Sequence, residues 1–330
     1  MILRIDHETT LTYTDQVYEH VFELRMAPVS NDEQTTLGYR LRITPLTTST
    51  PFRDGHGNRV ELINIIVPSL QIIVRTTSFV RTHRQAAAER LRGVVLGKAR
   101  TRDAGSIDAM DYLAFSSLVD HGYWLNELAQ AIDTRDELPM EFFLQQAMQL
   151  VFSRLHFEKT CTSISTKASE ALRLGAGVCQ DFTHLLLAVC RHIGLPARYV
   201  SGYIHEPGEI ATHAWVQVWC GSDTGWLDID PTHQCFAAED HVQVAVGRDY
   251  ADVPPNRGAW RGIANENIQV SVRVEPVPRL PGEWVEAESL PHRGSIGEST
   301  SGTHTKGVAR PTGRQFQRML YRQQQQQQQQ

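Results

Sequence analysis

The sequence predicts an α+β protein in which one helix packs on an antiparallel sheet, behind a β-rich N-terminal domain. An amphipathic helix follows Cys179, with apolar residues at positions 182, 185, 186, 189, 190 and 193. Three β-type runs come next, at 198–204, 213–220 and 226–230, and the turn GSDTG (221–225) joins the last two. A helix followed by consecutive hairpin strands is the order typical of an α+β unit.

The β-rich N-terminal domain is predicted over residues 1–82. Runs at 39–43, 60–66 and 71–74 have strand character and are separated by Pro and Gly residues. Residues 83–150 form a helical connecting region, in which the segments 86–96 and 141–155 carry the clearest helical period. These two stretches precede the unit that contains the amphipathic helix.

The helix-and-sheet unit is predicted over residues 151–276, with an alternating run at 268–274 as its closing strand. From 277 to 330 the apolar period is lost, and the chain ends in eight glutamines, 323–330. Such a composition predicts a disordered low-complexity tail, to which we assign no function.

Charge and cysteine content exclude several classes of function. The formal net charge of -5 gives no electrostatic reason for binding nucleic acid or an anionic membrane. The apolar run at 62–74 is too short to span a bilayer, and the N-terminus carries Arg4, Asp6 and Glu8 where an export signal needs an apolar core. Five cysteines without framework spacing fit a reducing compartment, so we expect a cytoplasmic protein.

Cys179 lies three residues before Phe182, so it shares the inward stripe of the helix and occupies its first turn. A thiol at this place faces unpaired N–H groups and the positive end of the helix dipole, which stabilise a reactive thiolate. The helix should pack on the strands that follow it, and the middle strand carries His213. A histidine within reach of a cysteine can take up its proton and pass it to a leaving amine.

Strand register selects Asp230 as the group that orients His213. If Trp219 pairs with Trp226 across the turn, Asp230 becomes the same-face diagonal neighbour of His213, roughly 7 to 8 Å away at Cα. Asp228 has the same parity but lies roughly 6.6 Å farther along the strand. We therefore predict a Cys179, His213 and Asp230 triad. Neither C-x-x-C nor H-E-x-x-H occurs, so we expect no metal and no other cofactor.

Three motifs resemble those of the bacterial transglutaminase-like proteins, which are related to papain-like cysteine peptidases. They are GVCQDFTH (177–184), THAWVQVW (212–219) and GWLDIDPT (225–232), which place the family's cysteine, histidine and aspartate on Cys179, His213 and Asp230. Further similarity appears in DGHGN (54–58), LPARYVSG (195–202) and VAVGRDY (244–250). The resemblance covers roughly residues 1–276 and implies a papain-like catalytic core.

The resemblance implies cysteine-dependent acyl transfer at an amide or peptide carbonyl of a peptide, a protein or a small amide. Animal transglutaminases use a tryptophan upstream of the cysteine to support the oxyanion, and the region around Phe142 and Phe143 contains none. We therefore expect hydrolysis rather than protein crosslinking. The alternative is a non-catalytic module that binds a peptide or a protein partner.

Overall fold

The computed structural model describes residues 1–100, 107–206 and 212–285. The predicted tail lies outside the described residues except for 277–285. That short piece is anchored, because Trp284 is buried and packs edge-on against Phe79. Within the described residues, no helix combines the length and the apolar character needed to cross a bilayer.

The N-terminal part is built on one strand of 23 residues that the sequence analysis did not predict. Its strands are β1 (Ile2–Leu24), β2 (Gln34–Thr44), β3 (Ser49–Arg53), β4 (Arg59–Ile65) and β5 (Ser69–Thr82). The order is β2-β5-β1-β4-β3, with β5 paired to the first half of β1 and β4 to its second half. The sheet curls around a core that contains Leu11, Phe22 and Ile72.

The helical connecting region contains α1 (Ala87–Arg90), α2 (Leu96–Arg100), α3 (Ile107–Met110), a 3-10 turn (Asp111–Leu113), α4 (Tyr123–Ala129) and α5 (Met140–Arg154). The prediction of one helix over 86–96 was wrong. Gly93 has φ +76°, a left-handed conformation that separates α1 from α2 and prevents one continuous helix. The helix predicted at 141–155 corresponds to α5.

The second unit contains β6 (His156–Phe157), α6 (Ala168–Leu174), β7 (Ala176–Gly177), α7 (Cys179–His192), β8 (Ala197–Ile204), β9 (Thr212–Trp219), β10 (Trp226–Asp230), β11 (Cys235–Phe236), β12 (His241–Gly247) and a 3-10 turn (Tyr250–Asp252). The antiparallel sheet has the order β11-β10-β9-β8-β12. α7 packs on β8 and β9, so the helix lies on the sheet as predicted. The α+β fold class is confirmed.

The last elements are β13 (Asn256–Arg261), β14 (Glu266–Pro276) and α8 (Gly282–Val285). β13 and β14 both pair with β1, so the strand that was expected to close the second unit belongs to the N-terminal sheet. The second unit is therefore inserted, in sequence, between strands of one sheet.

α7 is a central helix rather than a helix with one buried face. Every residue from Gln180 to Arg191 is buried, because α4, α5 and α6 cover the sides that the sheet leaves open. His184 lies off the apolar stripe of α7, and that position alone indicates a surface or interdomain residue. That interpretation was wrong, because the side chain is fully buried and its Nε2 accepts the Tyr250 N–H at 3.2 Å.

Gly202 of β8 pairs with His213 of β9 and leaves no room for a side chain. A Cβ atom there would lie 2.2 Å from the Val242 carbonyl oxygen and 2.4 Å from the Trp215 ring. We expect Gly202→Ala to lower the free energy of unfolding by about 1–3 kcal/mol in urea titrations. Gly55→Ala is the control, because a Cβ at Gly55 meets nothing within 4 Å. Equal stability of the two variants would contradict the prediction.

Candidate active site

Cys179 is the first residue of α7 and is partly exposed, whereas the helix behind it is buried. The chain enters the helix in an extended conformation at Val178, and the Asp181 carboxylate caps it by accepting the Val178 N–H at 2.8 Å. The hydroxyl of Thr162 donates to the same carboxylate oxygen at 2.7 Å. At Gly177 a Cβ would lie 2.5 Å from the Asp181 Cβ, so this approach requires glycine.

His213 joins Cys179 to Asp230. It lies on β9, and its Nε2 donates to Oδ2 of Asp230 at 2.6 Å, with both side chains buried. The Cys179 thiol is also close enough to the His213 ring to affect its protonation. Burial by itself lowers the pKa of His213, but the hydrogen bonds and charges of Asp230 and Cys179 outweigh it and raise that pKa from 6.5 to about 10. The structure thus brings the three predicted side chains together.

The Asp230 carboxylate accepts more hydrogen bonds than a triad requires. Oδ2 is approached by His213 and His233 Nδ1 at 2.6 Å each, and by His241 Nε2 at 3.2 Å. Oδ1 accepts the backbone N–H groups of Thr232 and His233 at 2.9 and 3.3 Å. Burial raises the pKa of Asp230, yet the hydrogen bonds from the three histidines outweigh it and hold that pKa well below its usual range. Asp230 is therefore a carboxylate at neutral pH.

Asp228 belongs to a different hydrogen-bond network from Asp230, as expected from its position farther along the strand from His213. Its carboxylate accepts from Trp215 Nε1 at 2.5 Å, from Gln217 Nε2 at 3.0 Å and from Arg84 Nη1 at 2.9 Å. Arg84 also pairs with Glu33, so the network reaches the N-terminal sheet. The Trp215 ring stacks on His213 with 5.9 Å between centroids. Asp228 thus fixes the indole that lies behind the catalytic-site candidate His213.

Two histidines of this site were missed. His233 follows Asp230 by three residues in the turn after β10, and this proximity in sequence was a signal that could have revealed it. His241 begins β12, and it reaches Asp230 only through the fold of the sheet. No local pattern marks His241 as a neighbour of Asp230.

Side chains at these distances also have the composition of a metal site. The ligand atoms of His213, Asp230 and His233 lie within 4.8 Å of one another, as do those of Asp230, Cys235 and His241. The histidine nitrogens, however, all lie within hydrogen-bond distance of Oδ2 of Asp230, which gives them a partner without an ion. We interpret the group as a hydrogen-bond cluster, and the expectation of no metal stays a prediction.

Comparisons with known proteins agree with this architecture. The sequence model of the Transglutaminase-like superfamily matches residues 126–231, which include all three triad candidates. The model of the Bacterial transglutaminase-like N-terminal region matches residues 3–81. An uncharacterized protein of Mycobacterium leprae is 29% identical over 284 residues, covering 82% of this chain and 98% of the relative. An uncharacterized protein of Mycobacterium tuberculosis is 30% identical over 296 residues, covering 83% and 92%.

One solved structure shares the fold over most of the chain. It is the crystal structure of a candidate cysteine protease from Cytophaga hutchinsonii, which superimposes with a TM-score of 0.68 at 20% sequence identity. The match covers 85% of this chain and 93% of that protein. At this identity the likeness concerns the fold alone.

Proposed function

Because the chain belongs to the transglutaminase-like superfamily, we propose that it is an enzyme that transfers acyl groups from amides through Cys179, His213 and Asp230. One observation carries the proposal: at the N-terminus of a buried helix, the Cys179 thiol lies beside the His213 imidazole, which is hydrogen-bonded to the Asp230 carboxylate. A nucleophile, a base and a group that orients the base are the parts of covalent acyl transfer.

The proposed reaction begins with the Cys179 thiolate and the His213 imidazolium. Sulfur attacks the amide carbonyl carbon, and N–H groups in the first turn of α7 hold the oxyanion that forms. The ring nitrogen of His213 that faces Cys179 then gives its proton to the leaving amine as the C–N bond breaks. Asp230 holds the ring by its other nitrogen and stabilises the imidazolium.

We propose that water receives the acyl group. His213 takes a proton from a water molecule, the resulting hydroxide attacks the thioester, and a carboxylic acid leaves as sulfur regains its negative charge. The preference for hydrolysis over crosslinking is supported by the absence of an upstream tryptophan near Phe142 and Phe143; Phe142 is exposed and Phe143 is buried. The substrate class is a peptide, a protein or a small amide.

The cytoplasm is the proposed location. A thiolate nucleophile works only while its cysteine is reduced, and all five cysteines of the chain are free thiols. This proposal rests on the cysteines alone.

Alkylation by iodoacetamide tests whether Cys179 is the reactive thiol. Cys161 provides an internal control because it is also partly exposed, while burial and the charges of Glu158 and Asp181 raise its pKa. At pH 7 we expect Cys179 to react at least ~10-fold faster than Cys161, measured by peptide mass spectrometry. Equal rates would argue against an activated thiolate and against the enzyme proposal.

A non-catalytic module that binds a peptide or a protein partner is the alternative. A pure binding site has no chemical need for a cysteine, a histidine and an aspartate joined by hydrogen bonds. Binding that survives in a Cys179→Ala variant, with no amide turnover by the unmodified protein, would favour this alternative.

A further inference from the structure

His233 lies between two carboxylates, and this position fixes its protonation. Its Nδ1 is 2.6 Å from Oδ2 of Asp230, and its Nε2 is 2.5 Å from Oε1 of Glu206. An ionised carboxylate only accepts hydrogen bonds, whereas a neutral imidazole has one nitrogen that carries no hydrogen. Both nitrogens of His233 must therefore carry hydrogen, which makes the ring a cation.

His241 is placed in a similar way on the other side of Asp230. Its Nε2 faces Asp230 at 3.2 Å and its Nδ1 faces Oδ1 of Asp240 at 2.6 Å. The Ala238 N–H also approaches Nδ1, but at 3.3 Å it is the longer contact, so Asp240 decides the protonation. His241 is buried, and each of its ring nitrogens faces a carboxylate.

These cations lie next to His213. The ring centroids of His213 and His233 are 5.1 Å apart, and those of His213 and His241 are 6.0 Å apart. A neighbouring positive charge disfavours protonation of His213, and the lone pairs of Asp230 that His233 and His241 use are shared with His213. The two additional histidines therefore weaken the hold of Asp230 on the proton of His213.

We propose that His233 is a positioning residue: a permanent imidazolium that shares Asp230 with His213 and so limits how tightly His213 keeps its proton. The role of His233 in catalysis rests on the proposed function, because a His213 that binds its proton too tightly cannot release it to a leaving amine. His233 is half-exposed and meets Glu206, whereas His241 is enclosed. Of these two histidines, His233 is thus the one whose surroundings can change at the protein surface.

The charged and titratable groups that face the cluster come from several elements. His213 meets Cys179, Asp230, His233 and His241, and His233 meets Asp230, Glu206 and His213. Asp240 pairs with His241 and acts at longer range on Arg84, while Cys235 lies within the field of Asp230, Asp240 and Glu206. Burial and those three negative charges raise the pKa of Cys235 to about 12, so it stays a neutral thiol.

The test is a ¹⁵N NMR titration of the histidine rings in the full chain, which needs no substrate. We expect the His233 ring to be doubly protonated at pH 7.5, with its signal identified by its loss in His233→Asn. The asparagine amide can still donate to Asp230 but carries no charge, so the titration midpoint of His213 should rise by about one pH unit.

His156→Asn is the matched control, since His156 also pairs with a glutamate, at 3.0 Å, but is exposed and does not touch Asp230. It should leave the His213 midpoint unchanged. A neutral His233 ring in the unmodified protein, or a His213 midpoint that is unchanged or lower in His233→Asn, would overturn the proposal. A purely structural role predicts lower stability in His233→Asn without a shifted midpoint.

The outcome is separable from that of the proposed function. If the wild type turns over no amide but the midpoints shift as expected, the enzyme proposal fails and the assignment of His233 stands. If turnover is observed, its alkaline limit should move to higher pH in His233→Asn, because His213 keeps its proton longer. Turnover with an unmoved alkaline limit would contradict the role of His233.

Discussion

Cys179→Ala is expected to reduce amide turnover to background, a loss of at least ~10⁴-fold, because no other group at the site can form the acyl intermediate. The side chain is partly exposed, so alanine leaves little buried space and the fold should be kept. The measurement is hydrolysis of a panel of fluorogenic aminoacyl and peptidyl amides. Circular dichroism and urea titration check that the variant is folded.

Cys161→Ala is the matched control for this loss. Its sulfur contacts the Glu158 carbonyl oxygen at 3.4 Å and takes no part in the hydrogen-bonded series at Asp230. It should keep turnover within about twofold of the unmodified protein. Turnover in Cys179→Ala equal to that in Cys161→Ala would refute a covalent mechanism through Cys179.

Asp230→Asn is expected to damage both activity and stability. The amide replaces one carboxylate oxygen with a donor, and histidine N–H groups already point at Oδ2 from distances of 2.6 to 3.2 Å. Removing one partner of a buried charge cluster costs about 3–5 kcal/mol of unfolding free energy. Loss of the orienting carboxylate should also lower kcat/KM by roughly 10²–10⁴-fold. Urea titration and amide hydrolysis measure the two effects.

The stability difference should depend on pH. Since the folded pKa of His213 is raised from 6.5 to about 10, its stabilising contribution is complete below pH 6.5 and disappears as pH rises through 10. The folded pKa of Asp230 is lowered, so its contribution is present above the unfolded value near 3.8 and fades at more acidic pH. The free energy of unfolding of the wild type should therefore exceed that of Asp230→Asn by the largest amount between about pH 4 and 6.5.

Asp223→Asn is the control for this substitution. Asp223 lies exposed in the turn between β9 and β10, where an amide can replace the carboxylate. Its stability and kcat/KM should stay close to those of the unmodified protein. If Asp230→Asn proves as stable and active as Asp223→Asn, the orienting role of Asp230 is wrong.

Sequence reasoning works best here where the partners are close along the chain. The turn at 221–225 sets the register of β9 and β10, and Trp219 does pair with Trp226. That register places Asp230 beside His213 and leaves Asp228 to Trp215. The helix phase likewise brings Cys179 toward the sheet, although its catalytic role remains our proposal.

Features that depend on distant segments escaped the sequence. The alternation of β1 is obscured because inward positions hold polar residues such as His7, whose Nδ1 lies 2.8 Å from the Tyr203 hydroxyl of β8. The location predicted for His184 was wrong for a similar reason, since its hydrogen-bond partner is the backbone N–H of Tyr250, which is distant in sequence. A buried polar residue resembles a surface residue until the group that satisfies it is known.

The long strand β1 pairs with segments that are synthesised early and late, and this affects the order in which the protein folds. β1 pairs with β4 and β5, which precede the second unit in the sequence, and with β13 and β14, which begin at Asn256 after it. Until the ribosome has released that region, a row of unpaired backbone groups is open to pairing with other chains. Completion of the N-terminal sheet is thus a late event, and the second unit must be accommodated before the sheet can close.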